Sequence, residues 1–313
     1  MRDNTVTTLY CGRFAPTPSG PLHFGSMIAA IGSFCDARAS GGCWYVRIDD
    51  IDSPRVVRGV ADNILRTLES FALEWDGHPF KESRSKDAYH WALHRLRATE
   101  SVFPCACSRS DINTSGIAGV EGPVYPGTCR HGVHAGRPVR SLRLRVAENT
   151  RIEFDDALQG QVRQDLARQV GDFVVYRADG VFSYHLACIV GDAHQNITHV
   201  VRGADLIGST PRQIYLQRLL GLPTPSYLHL PVATDAHGEK LSKQTRATPV
   251  DTRRAGQIIY SALQFLGQRP PAELARWSAQ DAIDWAVTAW HREHLPDATA
   301  IEMPVLYRAF ATS

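Results

Sequence analysis

The spacing of apolar positions changes twice within the first fifty residues. Residues 7–14, TTLYCGRF, form a β-rich run. The Pro- and Gly-crowded stretch APTPSGPLHFGS follows, and then Met27, Ile28, Ile31, Phe34 and Cys35 recur at helical spacing. Gly41 and Gly42 end that helix, and WYVRID reads as a short buried strand. Strand, crossover helix and strand within residues 7–49 predict a βαβ unit and therefore a parallel sheet.

Helical patterns continue over about residues 58–71 and 86–100, and strand signals return at SLRLRV, DFVVYR, FSYHLACIV and ITHVVRG. The segment VVRGADLIGS leads into a helix that Ser209 or Thr210 can cap, with Pro211 in its first turn and Gly221 at its end. LHLPVA is another buried strand and opens into the polar loop TDAHGEKLSKQTR. Beyond it, Ile258, Ile259, Ala262, Leu263 and Leu266 make one helical face, and Ser278 can cap a second helix carrying Ile283, Ala286, Val287 and Trp290. Residues 104–138 break the pattern. They are rich in Gly, Pro, Ser and Cys and have little periodicity, as expected of an inserted module held by something other than an apolar core.

Composition narrows the classes. A chain of 313 residues with 43% hydrophobic and 21% charged residues can bury a substantial core. Its formal net charge of +2 argues against a long polyphosphate-binding surface dominated by Lys and Arg and leaves a local patch open. No apolar run is long enough for a membrane span, and MRDNTVTTLYCGR lacks a signal-peptide core, so a cytoplasmic protein is expected. The seven cysteines, an odd number without a secretion signal, argue against a disulfide framework.

Two loops carry candidate chemistry. Residues 13–26 join a strand to a helix, the place where ligands bind in parallel α/β sheets. Gly20 and Gly25 allow close backbone approach to a nucleotide, and His23 is placed to donate to a phosphate oxygen. Taken alone, the loop also reads as a turn shaped by proline and glycine. The second loop holds Lys240 and Lys243 in KLSKQ, two compact charges suited to a reorganising triphosphate, although such a pentapeptide alone also reads as solvated surface.

Together the loops say more. PLHFGS resembles the HIGH signature of class I aminoacyl-tRNA synthetases, and KLSKQ resembles their KMSKS signature, with Ser26 in place of the second histidine and Gln244 in place of the final serine. The flanks GRFAPTPSGPLHFGS, VRIDDIDSPR, DFVVYRADGVFSYHLA and HVVRGADLIGSTPRQ resemble the glutamate-specific branch, from about Thr8 to about Arg246. The resemblance implies an α/β fold: a Rossmann-like catalytic domain over residues 1–238, and a KMSKS-like loop with a small helical region over residues 239–313. It implies a glutamate site at Arg13, Phe14, Ala15, Pro16, Thr17, Asp49, Tyr184 and Arg202. Residue chemistry agrees with a dicarboxylate: Arg13 and Arg202 offer planar forks, Tyr184 a hydroxyl, and Asp49 an anion for the ammonium group. Asp49 replaces the usual glutamate of an RIED-like run and is one methylene shorter. A surface ion pair is the blander fate of either arginine.

Cys105, Cys107 and Cys129 are three thiolates suited to zinc, one ligand short of a closed site, and His131 and His134 are chemically obvious fourth donors. Without a metal they would pack as small apolar residues. The C-x-C, Y-x-x-x-C arrangement resembles the zinc module of the glutamyl-Q tRNA(Asp) synthetases, which implies Tyr125 as fourth ligand. Residues 245–313 fit two or three helices and no large anticodon-reading region, which also resembles that family.

What the resemblance implies is activation of L-glutamate by ATP and Mg2+ without tRNA present, then transfer to queuosine, the modified wobble nucleoside of tRNA(Asp), by a chain carrying one structural Zn2+; a monomer is expected. His23, Gly20 and Gly25 would hold ATP. Lys243, assisted by Lys240, would stabilise departing pyrophosphate. Three other readings compete: a minimal glutamyl-tRNA synthetase acylating tRNA(Glu), a nucleotidyltransferase that does not act on tRNA, and a zinc-stapled RNA-binding module without catalysis. The second has no reason to keep Arg13, Tyr184 and Arg202, and the third leaves KLSKQ idle.

Overall fold

In the computed structural model, residues 9–115, 117–120, 122–235, 238–239 and 248–303 are described. The expected βαβ unit opens the fold. β1 (Cys11–Phe14), α1 (Phe24–Ala39) and β2 (Cys43–Ile48) follow in order, and the strands pair in parallel from Cys11↔Cys43 to Phe14↔Val46. Gly41 stops α1 at φ +65°, and the Gly41 and Gly42 amides donate to Arg38 and Ala37 carbonyls at 2.9 Å. Next come α2 (Val60–Ser70), β3 (Phe80–Lys81), which extends the sheet in parallel beside β2, α3 (Lys86–Ala98) and β4 (Val102–Cys105). The insert contains α4 (Arg109–Ser115) and a small hairpin of β5 (Ile117–Gly119) and β6 (Gly122–Val124) before β7 (Ser141–Leu144) returns antiparallel to β4.

The second half holds β8 (Arg151–Asp156), β9 (Gly160–Asp165), α5 (Leu166–Gln169), β10 (Phe173–Tyr176), α6 (Tyr184–His194), β11 (His199–Gly203), α7 (Thr210–Leu220), β12 (Ser226–Leu230), β13 (Val232–Thr234), α8 (Ala255–Phe265), α9 (Ala279–Thr288) and β14 (Ala300–Glu302). β11 and β12 are parallel, and β8 joins β12 at Tyr227↔Asp156. The two sheets meet where the Thr198 amide donates to the Cys11 carbonyl at 2.9 Å and the Cys11 amide donates to Thr198 Oγ1 at 2.8 Å. The C-terminal ends of β1, β2 and β11 therefore share one edge.

Two expectations need correction. FSYHLACIV is not a strand: Ser183 caps α6 by accepting from the Leu186 amide, and the apolar run winds into a buried helix. A short apolar run lacks the length that separates buried strand from buried helix. Neither Ser209 nor Thr210 caps α7 through its side chain; a 3₁₀ turn over Ala204–Ser209 leads into the helix, and the Thr210 hydroxyl is used elsewhere. The stretch RIEFDDALQGQVRQD forms the β8–β9 hairpin, in which β8 alternates exposed and buried positions while β9 alternates only weakly.

The helices after the lysine loop share a core with α1: Ile258, Ile259, Leu263 and Ile283 join Met27, Ile31 and Phe34 in one buried cluster. Asp36 of α1, almost fully buried, accepts from Trp290 Nε1 at 3.1 Å and from Arg292 Nε at 2.6 Å, which ties the C-terminal region to the first helix. A Cβ on Gly32 would lie 2.6 Å from Leu230 Cδ1, so α1 can approach β12 this closely only with glycine there. Among the described residues, no helix is long and apolar enough to cross a membrane.

Candidate active site

The shared sheet edge collects three arginines against one face of α6. Tyr184, Cys188 and Asp192 lie at i, i+4 and i+8 on that helix and form a single stripe. Arg13, at the end of β1, donates from Nε to Asp192 Oδ1 at 3.0 Å and from Nη2 to Oδ2 at 3.4 Å. Arg47, fully buried on β2, donates to the same Asp192 Oδ1 at 2.6 Å and to Asp49 Oδ1 at 2.9 Å. Both arginines also reach Cys188 Sγ at 3.9 Å. Glu82 lies 3.8 Å from Arg47.

Burial opposes ionisation of Asp192, yet Arg13 and Arg47 hold its carboxyl well below the usual range. Burial raises the Asp49 carboxyl against the pull of Arg47 and Arg13. Burial, reinforced by Asp49, lifts Glu82 well above its ordinary value and favours its neutral form. Two cations thus face three acidic side chains: Asp192 is held ionised by the arginines, while burial disfavours the charged forms of Asp49 and Glu82.

Arg202, on β11, is treated differently. Its Nε donates to His229 Nε2 at 3.1 Å, its Nη2 to Thr210 Oγ1 at 2.8 Å and to Gln213 Oε1 at 2.7 Å, and its Nη1 to the Tyr184 hydroxyl at 3.4 Å. All four partners are neutral. Arg202 is 5% exposed whereas Tyr184 is 37% exposed, so the tyrosine marks the open side. A buried guanidinium oriented by dipoles, without a carboxylate, is built to receive an anion.

The structure brings most of the expected site residues to this edge. Asp49 is joined to the first loop through its amide, which donates to the Pro16 carbonyl at 3.0 Å. Phe14 turns its ring into the core, stacked 6.3 Å from Trp44, so only its backbone can serve a ligand. Ala15, Pro16 and Thr17 are half-buried beside it. Gly20 is half-buried in the loop, and Gly25 falls in the first turn of α1. His23 is the N-cap of α1 and its Nδ1 accepts from the Ser26 amide at 3.4 Å, so a neutral ring carries its proton on Nε2. His23 bridges to Pro249, and the Val250 amide donates to the Leu22 carbonyl at 3.0 Å, which returns the chain to this turn directly after the lysine loop. Lys240 and Lys243 lie outside the described residues.

In the insert, the sulfurs of Cys105, Cys107 and Cys129 lie within 4.8 Å of one another and all three residues are buried. The Tyr125 hydroxyl is 3.4 Å from Cys105 Sγ and 3.7 Å from Cys107 Sγ, and accepts from the Cys129 amide at 2.8 Å. His131 and His134 are exposed, and neither ring belongs to this group. The module's buried apolar cluster is small: the three cysteines with Phe103, Ala106 and Tyr125. Arg143 donates to Cys105 Sγ at 3.3 Å and stacks its guanidinium 4.0 Å from the Tyr125 ring centroid. Between insert and body lies a cavity of about 630 Å³, lined by Arg109, Arg140, Arg143, Arg177 and Arg212 and reaching Tyr184.

Residues 11–266 match the family described as tRNA synthetases class I (E and Q), catalytic domain. The chain belongs to this family. It is 52% identical to a glutamyl-Q tRNA(Asp) synthetase of Aromatoleum aromaticum, over 96% of this chain and 95% of that one. A glutamyl-Q tRNA(Asp) synthetase of Pseudomonas aeruginosa is 48% identical, over 93% of this chain and 97% of its own. In fold the chain is similar to a glutamate-tRNA synthetase of Elizabethkingia anophelis, with a TM-score of 0.79 at 20% identity over 95% of this chain and 68% of that structure.

Within this class I catalytic domain, sequence reasoning missed Arg47, Glu82, Asp192, His229 and Asp156. Arg47 stood in the quoted run VRIDDIDSPR, and an arginine inside a buried strand was a usable signal. Asp192 was hidden because its segment read as a strand, which obscured its helical spacing from Tyr184 and Cys188.

Proposed function

We propose that the chain activates glutamate with ATP to give glutamyl-adenylate and transfers the glutamyl group to queuosine in tRNA(Asp). The observation that carries the reading is Arg202, a buried cation held by four neutral groups beside the exposed Tyr184. It suits the side-chain carboxylate of glutamate, with Asp49 available for the ammonium group. The relatives named above supply the acceptor.

In the first step the α-carboxylate attacks the α-phosphorus of ATP in line, and pyrophosphate leaves. Positioning and charge stabilisation supply the rate, since no covalent protein intermediate is needed. His23, with Nε2–H as donor, and the amides at the start of α1 favour phosphate oxygens. Lys243 and Lys240 would neutralise departing pyrophosphate, and Mg2+ enters with ATP. In the second step a nucleoside hydroxyl attacks the adenylate carbonyl and AMP leaves. The arginine-lined cavity beside Tyr184 suits a nucleotide with its phosphates.

The donor set of three buried sulfurs and a phenol oxygen fits zinc, with Cys105, Cys107, Cys129 and Tyr125 as ligands. The metal's contribution is structural, holding an insert with a small core.

The test is transfer of labelled glutamate to tRNA(Asp) with and without queuosine, with tRNA(Glu) alongside. Label confined to queuosine-containing tRNA(Asp) supports the proposal. Label on tRNA(Glu) makes the chain a minimal glutamyl-tRNA synthetase instead.

A further inference from the structure

We propose that His229 and Asp156 form a positioning pair that orients Arg202 toward the side-chain carboxylate of glutamate while leaving its positive charge uncompensated. This rests on the glutamate-activation reading above. Both side chains are fully buried, and they come from different strands, β12 and β8. Asp156 Oδ1 accepts from three backbone amides: His229 at 3.2 Å, Leu158 at 3.0 Å and Gln159 at 2.9 Å. Its other oxygen, Oδ2, lies 2.6 Å from His229 Nδ1.

This arrangement fixes the tautomer. An ionised carboxylate only accepts, so His229 Nδ1 carries the proton. Nε2 is then a lone pair, and Arg202 Nε donates to it at 3.1 Å. A second proton on the ring would aim an N–H at a guanidinium that also only donates, with the Thr210 hydroxyl, 3.1 Å from Nε2 and already accepting from Arg202 Nη2, as its one acceptor there. The chain Asp156–His229–Arg202 therefore runs in one direction.

The contrast with Arg13 gives the pair its purpose. Arg13 touches the Asp192 carboxylate directly and shares that anion with Arg47. Arg202 has an imidazole between itself and the nearest carboxylate of this chain of bonds. It receives direction from Nε2, Thr210 and Gln213 and keeps its charge. A substrate carboxylate then pairs with a cation that is already aimed and has no internal anion to leave.

Asp156→Asn separates these roles with almost no change of shape. The three amides hold the asparagine oxygen at the Oδ1 position, so its NH2 faces His229 Nδ1. That ring must move its proton to Nε2, and an N–H then opposes Arg202 Nε. Glutamate-dependent pyrophosphate exchange should show KM for glutamate raised on the order of tenfold or more, with KM for ATP within about twofold of wild type. Nitrogen NMR of the labelled imidazole should show the reversed tautomer. In an independent arm, His229→Phe should raise KM for glutamate in the same way, and His229→Gln, which restores an acceptor oxygen, should recover part of the loss. Variants that bind ATP normally and keep the wild-type KM for glutamate overturn the proposal. Wild-type chain without glutamate-dependent exchange overturns the activation reading itself, which is a separate failure.

Discussion

Arg13 Nε lies 3.0 Å from Asp192 Oδ1, although the two residues are 179 positions apart in the chain. The contact joins the end of β1 to the far end of α6, and the same oxygen also holds Arg47. A single buried carboxylate thus sets two arginines at the site, while Arg202 is set by neutral groups.

Removing that anion should be costly. Asp192→Asn leaves two buried guanidinium groups short of a counter-charge, and urea unfolding should show a loss of about 3–5 kcal/mol. The acid response has a definite sign. A carboxyl depressed in the folded state contributes stability above its unfolded value, ordinarily 3.8, and loses it as pH falls toward the folded value. The wild type should weaken steeply below that pH, and the variant should lack this part of the slope.

Glu82 works in the opposite direction. Its folded value is raised by burial from an ordinary 4.5, so above that pH the unfolded chain releases a proton that the folded chain keeps. Stability falls as pH rises through this range. Glu82→Gln, which mimics the protonated acid, should match wild type near pH 4 and exceed it in stability at pH 7. A thermal-melt series across that range that shows no divergence would contradict this assignment.

Gly191 sits inside α6, where alanine would normally be favoured by about 1 kcal/mol. A Cβ there would meet Arg47 Nη1 at 3.0 Å and Cζ at 3.2 Å. Arg47 is held by Asp49 and Asp192 and has no room to yield. Gly191→Ala should therefore destabilise the chain, by about 1–3 kcal/mol, and raise KM for glutamate. A more stable variant would show that Arg47 can shift.

Arg202→Ala should lower kcat/KM for glutamate in pyrophosphate exchange at least a hundredfold, about 3 kcal/mol, while ATP binding by calorimetry survives. Unchanged glutamate-dependent exchange would remove Arg202 from the substrate site.

Metal analysis should find close to one zinc per chain, absent from Cys105→Ser. Tyr125→Phe keeps all three sulfurs and should lose zinc to a chelator faster than wild type. A fully folded, metal-free preparation of the unaltered chain would contradict the structural role.

The chain's own order determined a great deal. The βαβ opening followed from apolar spacing around the 13–26 loop, and α1, α2, α3, α8 and α9 fall close to where periodicity and caps put them, although α9 ends at Thr288, short of Trp290. Local motifs carry Arg13, Asp49, Tyr184 and Arg202, which the fold gathers at one sheet edge, and Cys105, Cys107 and Cys129, whose sulfurs it brings within 4.8 Å of one another with the Tyr125 hydroxyl beside them. Tertiary structure decided how those residues are charged and aimed. Nothing local tells that Asp192 faces Arg13, that burial raises the Glu82 carboxyl, or that Asp156 at the end of β8 reaches His229. Spacing along the chain reports which side of an element a residue occupies. Electrostatic partnership depends on which elements meet and how much water they exclude, and those are properties of the packed fold.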